Sequence, residues 1–198
     1  MPVVSDGNRQ AVLRGCFLFG SLDGPSFEEV RALMEERPCR IGDCLFREGD
    51  EGDAFYVITD GVVKVTKEVP GGDEALVVAQ LGEGEIFGEM SLVSNAPRTT
   101  NCAFTSNGWV WRLSRAAFES LNRTSPQVYA VIVQNIAVLL CDRLATMTGE
   151  VAAMLADMET VSDDVVALEE QLERGRTGLM DFLGSLGGRG EARRGNQP

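Results

Sequence analysis

Residues Ile86 to Thr100 read IFGEMSLVSNAPRTT. A glycine sits beside a glutamate, a run of small residues follows, and an arginine with two threonines closes the segment. The lead-in GEGE at 82–85 brings a strand end into a glycine-rich turn, and a short helical turn begins near Glu89. Backbone N–H groups at such a point, at the positive end of a helix dipole, suit an anion such as phosphate. Arg98 lies nine residues beyond Glu89, after VSNAP, and its planar fork of donors matches phosphate oxygens. Charge-assisted bonds of this kind contribute roughly 1.5–3 kcal/mol each. A carboxylate is a poor phosphate partner but a good acceptor for sugar hydroxyls, so Glu89 fits a ribose beside that phosphate.

The flanks of this segment set the fold. From Cys39 to Leu113 the chain alternates short apolar runs (CLF, AFYVI, VVKV, ALVVAQL, CAF, WVWRL) with turn-forming separators (GDEGD, TDG, PGGD, GEGE). Each run has the length and the β-branched or aromatic content of a strand. Many short strands with regular turns predict an antiparallel sandwich, jelly roll or barrel. The first forty residues read as short helices. In SFEEVRALM, Ser26 is the expected N-cap, Glu28 and Glu29 lie in the first turn, and Phe27, Val30, Leu33 and Met34 share a face. Past the strands, Ser114 is placed to cap a helix through Phe118 and Leu121. Ser125-Pro126 then supplies an N-cap and a first-turn proline for a long helix.

In that long helix, apolar residues follow a strict 3-4 spacing: Val133, Ala137, Leu140, Leu144, Met147, Val151, Met154, Met158, Val161, Val165, Leu168 and Leu172. Sustained over this many turns, the pattern predicts a coiled coil. Residues 128–141 are apolar nearly all round, whereas 142–173 keep only a stripe, so the first part is expected against the β domain and the second in a narrow seam. Gly149 and Thr160 to Ser162 are places where the rod can bend. The last segment offers one amphipathic turn around Leu179, Phe182, Leu183 and Leu186, followed by a Gly/Arg-rich tail expected to be disordered.

Composition excludes several classes. The 198 residues carry 30 acids against 18 bases, a formal charge of -12, which opposes non-specific DNA binding. Histidine is absent, which removes the commonest general base and metal ligand and argues against an enzyme. The five cysteines (Cys16, Cys39, Cys44, Cys102, Cys141) form no CxxC pair, so neither a disulfide framework nor a metal site is expected, and a reduced cytoplasm fits best. The densest apolar run, VYAVIVQNIAVLLC, has 14 residues, below the roughly 20 needed to span a bilayer.

The pattern F-G-E-x-x-L followed by P-R-[AST] is matched by Phe87, Gly88, Glu89, Leu92, Pro97, Arg98 and Thr99. On these residues the segment strongly resembles the phosphate-binding cassette of the cyclic nucleotide-binding domain family. FREGDEGDAFYVITDGVVKV looks like the family's glycine-turn strands, with Gly49, Gly52 and Gly61 in place, and FLFGSL with SFEEV resembles its N-terminal helical motif. The resemblance implies an α+β chain: an antiparallel β-roll or jelly roll (double-stranded β-helix) with N-terminal helices and a long C-terminal helix. It implies cAMP, or cGMP, as a regulatory ligand and no metal. Arg98 would pair with the cyclic phosphate and Glu89 with the ribose 2'-hydroxyl, while backbone amides around Gly88, Ser91 and Thr99 complete the cradle. Phe87, Met90, Pro97 and Thr100 belong to the same set of ligand positions.

One departure concerns the base. In the catabolite-activator type of the family, a Thr-Ser pair on the long helix reaches adenine; here Arg143 and Leu144 occupy the matching positions. Arg143 stacking on the base, or Thr146 and Thr148 one turn on, are the candidate lids. Thr99 resembles cGMP-selective members, yet a hydroxyl there also occurs in cAMP binders, and cAMP is favoured as the commoner ligand of stand-alone domains.

The expected organisation is a cyclic nucleotide-binding domain with its helical motif at 1–125, a long helix and coiled coil at 126–174, and a short turn and tail at 175–198. Activator-type relatives carry a helix-turn-helix domain after the long helix, but here the length goes to the coiled coil, whose eight acids and no bases between Leu144 and Glu173 would repel DNA. A non-enzymatic sensor that dimerises through residues 133–172 and signals to a protein partner is therefore expected. The alternative is a structural oligomerisation module with a degenerate, ligand-free domain. In a parallel dimer Asp164 would face Glu169 of the partner helix, a like-charge pair that disfavours this arrangement by a few tenths of a kcal/mol. An antiparallel pair and a basic partner helix both stay open.

Overall fold

A computed structural model describes residues 5–72 and 74–187, except for the side chains at 162–163 and 181–187. Helix α1 (Asp6–Gly15), a 3-10 turn (Phe17–Phe19) and α2 (Gly24–Ala32) come first. Eight strands and a short helix follow: β1 (Glu35–Cys39), β2 (Cys44–Phe46), β3 (Ala54–Asp60), β4 (Val63–Lys67), β5 (Leu76–Leu81), β6 (Ile86–Phe87), α3 (Glu89–Ser94), β7 (Asn101–Phe104) and β8 (Gly108–Ser114). Helices α4 (Arg115–Thr124) and α5 (Pro126–Gly187) end the chain. The strands form two four-stranded antiparallel sheets, ordered β1-β8-β3-β6 and β2-β7-β4-β5. The chain is thus an α+β protein built on an antiparallel β-roll.

Strand β3 organises the core. Its side chains alternate between two apolar clusters, as the two-residue period of a strand requires. Phe55 and Val57 pack with Trp111, Leu113 and the helical residues Leu13, Leu18, Phe19, Val30, Leu121 and Ile132. Ala54, Tyr56 and Ile58 pack with Phe46, Val63, Phe87, Cys102, Phe104 and Val110. Because both faces of β3 are covered, it reads as a continuous apolar run and not as an alternating one.

Each expected strand between Cys44 and Leu113 forms. Residues 35–39, expected within a helical stretch, instead form edge strand β1, paired only with β8. Glu-Glu-Arg-Pro-Cys has little strand character of its own. Its charges and Pro38 are tolerated at a sheet edge, and pairing with β8 decides its conformation.

Two caps differ from expectation. Asp23, not Ser26, caps α2: its carboxylate accepts from the Ser26 backbone N–H at 2.9 Å, with Pro25 in the first turn. At Ser125 the hydroxyl donates to Glu29 of α2, while the Ser125 carbonyl accepts from Tyr129 N at 3.0 Å to start α5. Ser114 does cap α4, accepting from Ala117 N at 3.2 Å.

Helix α5 continues through Gly149 and through 160–162, where breaks were conceivable, and on to Gly187. The Thr160 hydroxyl bonds back to Ala156 O at 3.1 Å and caps no new helix. Leu179 is exposed; the Phe182, Leu183 and Leu186 side chains and the tail at 188–198 lie outside the described residues.

The chain separates into two units, Met1–Asp142 and Arg143–Pro198. In the first, Val128, Ile132 and Ile136 recur at four-residue spacing and are buried in the helical-side core. Asn135 donates to Leu18 O at 2.9 Å and Ser21 Oγ at 3.1 Å. Within α5, an 18-residue window of mean hydropathy 1.6 has the length and composition of a bilayer span, a longer stretch than the 14-residue run suggested. Only 17% of that window is buried: Val128, Ile132 and Ile136 pack into the protein core, and Asn135 makes a part-buried main-chain contact. In the second unit the seam residues face outward: Leu144, Met147, Val151, Met154, Met158, Val161, Val165, Leu168 and Leu172 are all exposed.

Ile132 is fully buried, so Ile132→Ala is expected to cost about 2–5 kcal/mol in urea denaturation. A loss below about 1 kcal/mol would show that this part of α5 is not core.

Candidate functional site

Strand β6 delivers the segment to its position by pairing Phe87 with Tyr56 and Ile86 with Val57. Phe87 stacks on Tyr56 at 5.1 Å between centroids and lies 6.0 Å from Phe46. The next residue, Gly88, has φ 79°, in the left-handed region where glycine costs nothing. A Cβ there would stand 2.7 Å from Arg98 Nη1 and 3.2 Å from Ala54 O, so this turn admits no side chain. Glu89 opens α3 and is 1% exposed; Ser91 is buried and Met90 faces outward. Asn95, at φ 56°, ends α3 with its N–H on Ser91 O.

The returning loop places Arg98. Its backbone N–H donates to Asp50 O at 2.8 Å and its carbonyl accepts from Gly49 N at 2.9 Å, which locks it against the β2–β3 loop. The guanidinium is buried. Nη1 donates to Gly88 O at 2.9 Å, and Nη2 donates to Ala54 O at 2.7 Å and Asp53 Oδ1 at 3.3 Å. Its Cζ stands 4.0 Å over the Phe46 ring. Burial pushes the Arg98 pKa down, countered by Tyr56 and Asp53, yet an arginine keeps its charge in proteins. One nitrogen is left without any partner: Nε, which is buried. A buried unpaired N–H costs free energy comparable to a lost hydrogen bond, and more when it belongs to a cation. An anion accepting from Nε would remove that cost, and the collar at Gly88 leaves the backbone close enough to share in holding it.

Cys102, two strand residues past Thr100, has its thiol pushed up to about 12 by burial, so it stays protonated. All five cysteines are free thiols.

The first unit therefore gathers Phe87, Gly88, Glu89, Ser91 and Arg98. Pro97 and Thr99 are exposed and Thr100 is half-buried; the Thr99 carbonyl accepts from Lys67 Nζ at 3.0 Å. Arg143, Thr146 and Thr148 belong to the second unit, and the Thr148 hydroxyl is spent on Leu144 O at 2.8 Å.

Asp53 and Arg115 escaped the sequence, and Gly52 was expected only as a glycine-turn position. Asp53 accepts from both Arg98 and Arg112, the latter at 2.7 Å. Gly52 lies so close to α3 that a Cβ would fall 2.0 Å from Ser91 Cβ. Arg115, at the start of α4, donates to Gly52, Ser91 and Leu92 carbonyls. The only signal was the repeated Gly-Asp of EGDEGD, which does not separate the turn-forming Asp50 from the arginine-binding Asp53.

A β-roll with a glycine collar around a buried, incompletely paired arginine forms a site suited to an anion. Residues 36–125 match the family model of the cyclic nucleotide-binding domain, so the chain carries a domain of that family. It is 34% identical over 105 residues to a cAMP-dependent protein kinase regulatory subunit of Yarrowia lipolytica, covering 53% of this chain and 26% of the relative. The N-terminal domain of a transcriptional regulator from Streptomyces coelicolor superimposes with a TM-score of 0.60 at 33% identity, over 67% of this chain and 94% of that one. The regulatory domain of Toxoplasma gondii PKA, solved with cAMP, gives a TM-score of 0.53 at 34% identity, over 60% and 46%. The chain spans only 14–28% of the length of the first curated relatives it matches. Among the described residues, α5 is not followed by a helix-turn-helix module.

Because a methyl at Gly52 would meet Ser91 at 2.0 Å, Gly52→Ala should destabilise the first unit by about 1–3 kcal/mol or more in thermal unfolding. An unchanged melting temperature would contradict the close approach.

Proposed function

We propose that the chain is a non-enzymatic sensor of a cyclic nucleotide, cAMP or alternatively cGMP, which passes the binding event through its long helix to a protein partner. The observation that carries this reading is the buried Arg98 guanidinium with its Nε unspent. A cyclic phosphate supplies the missing acceptor together with a counter-charge. Glu89, the first residue of α3, accepts from the ribose 2'-hydroxyl, and amides around Gly88, Ser91 and Thr99 hold the remaining phosphate oxygen. Phe87, Met90, Pro97 and Thr100 shape the cradle. The relatives support the ligand class: one is a cAMP-dependent kinase regulatory subunit, another was solved with cAMP.

Dimerisation through 133–172 is the second part of the proposal. Nine seam residues from Leu144 to Leu172 are each more than half exposed in the single chain. A stripe of that length at heptad spacing favours burial against another helix. The residue 1–125 module then acts as sensor, 126–174 as rod and 175–198 as appendage, in a reduced cytoplasm that suits five free thiols.

Isothermal titration is expected to show micromolar or tighter binding of cAMP or cGMP. Arg98→Ala should weaken it by about 10- to 100-fold, the equivalent of one charge-assisted bond. No binding of either nucleotide would sink the sensor reading. If the seam still assembled, an oligomerisation module would be left. Independently, Met154→Glu with Val161→Glu should convert a dimer to a monomer in light scattering; an unchanged mass would refute the seam.

A further inference from the structure

We propose that Lys67, held in place by Glu48, is a positioning residue of the nucleotide cradle: it keeps the strap at Thr99 and Thr100 from closing onto strand β4, so that the Thr99 N–H stays available to the cyclic phosphate. This deepens the sensor reading above and rests on it.

The register of β4 against β7 shows what is prevented. Val63, Lys64, Val65 and Thr66 face Phe104, Ala103, Cys102 and Asn101 in turn. Just before them, the Thr105 N–H donates to Val62 O at 2.9 Å. Hydrogen-bonded pairs recur at every second residue of an antiparallel ladder. The pair 62 with 105 is therefore followed by 64 with 103, by 66 with 101 and, if the ladder ran on, by Glu68 with Thr99. Strand β4 ends at Lys67, however, and β7 begins at Asn101. A closed pair would consume the Thr99 N–H on the Glu68 carbonyl. Instead the Glu68 N–H donates to Glu48 Oε2 at 3.3 Å, and the Thr99 carbonyl accepts from Lys67 Nζ at 3.0 Å.

Three more bonds fix these substitutes. Lys67 Nζ donates to Glu48 Oε1 at 2.7 Å, Glu48 N to Asn101 Oδ1 at 2.9 Å, and Asn101 Nδ2 to Glu68 Oε1 at 3.2 Å. The hydrogen bond from Lys67 draws the Glu48 pKa down, so Glu48 is a carboxylate at neutral pH. Glu48 directly precedes Gly49, whose N–H holds the Arg98 carbonyl at 2.9 Å. One turn thus anchors Arg98 and, through Lys67, Thr99. The C=O and N–H of a trans peptide point in opposite directions. With the Arg98 carbonyl on Gly49, the Thr99 N–H faces away from that turn, and it donates to no acceptor among the described residues. It is the first uncommitted main-chain donor after Arg98, whose buried Nε is likewise without a partner. The Lys67 and Glu48 side chains are 48% and 31% exposed, and such a pair adds little to stability. Its value lies in where it holds the strap.

The test uses the full chain as wild type, Lys67→Met, Lys67→Arg, Glu48→Ala and Lys64→Met. Each is titrated with cAMP and cGMP, and amide exchange at Thr99 is followed by NMR in the nucleotide-free protein. Lys67→Met and Glu48→Ala should let the strap close. They should bind nucleotide about 3- to 10-fold more weakly, the worth of one hydrogen bond, while exchange at Thr99 slows about tenfold as its N–H pairs with Glu68 O. Melting temperatures should stay close to wild type. Lys67→Arg should restore binding to within about twofold, and so should Lys64→Met, which removes the same charge from the same strand. Unchanged or faster Thr99 exchange in Lys67→Met, the mark of simple loosening, would overturn the proposal, as would an equal loss of affinity in Lys64→Met. Should Lys67→Met fail to fold by circular dichroism, wild-type affinity and exchange in Glu48→Ala would overturn it equally. Absence of nucleotide binding by wild type would remove the sensor reading, whereas undiminished binding by Lys67→Met would sink the positioning role alone.

Discussion

The first unit is built around one buried cation. A guanidinium can leave water only if its donors are met, and Arg98 meets two of its five with main-chain carbonyls of Gly88 and Ala54 and a third with Asp53. Carbonyls can be brought that close only where the chain carries no side chain in the way, which is the physical requirement at Gly88. Asp53 adds a partial counter-charge, shared with Arg112, and Phe46 offers its ring face. The unspent Nε is what this arrangement leaves over, a buried cationic donor suited to an anion.

The β-roll exists to hold those groups in register. Strand β3 supplies Ala54 O and receives Phe87 opposite Tyr56, so the same strand that fills two cores also fixes the cradle's floor. Core packing of this density transmits displacement poorly by deformation and better by rigid movement of short elements. Helix α3 is such an element. Six residues long and bounded by two left-handed residues, Gly88 and Asn95, it is joined to the rest through Gly52 and Arg115.

The long helix shows how one element takes two environments. Its early turns lose their apolar face to the first unit's core, with Ile132 and Ile136 buried. From Leu144 onward the same amino-acid types stand exposed. The difference is one of available partners and not of propensity, since Val, Leu and Ala recur in both stretches. Coiled-coil pairing is a property of two chains, which a single chain can prepare for but not display.

The sequence by itself determined what depends on neighbours along the chain. Strand runs such as AFYVI and WVWRL, the caps at Ser114 and the proline start of α5, and the spacing from Gly88 and Glu89 to Arg98 are all local patterns. Tertiary structure decided what depends on residues far apart. EERPC becomes a strand only because β8 lies beside it. Ser125 spends its hydroxyl on Glu29, 96 residues away in sequence. Asp53 and Arg115 look like ordinary surface charges until folding carries them to Arg98 and to the carbonyls of α3. A hydrogen bond to a main-chain carbonyl leaves no mark on the residue that accepts it, and this is why that part of the site had to wait for three dimensions.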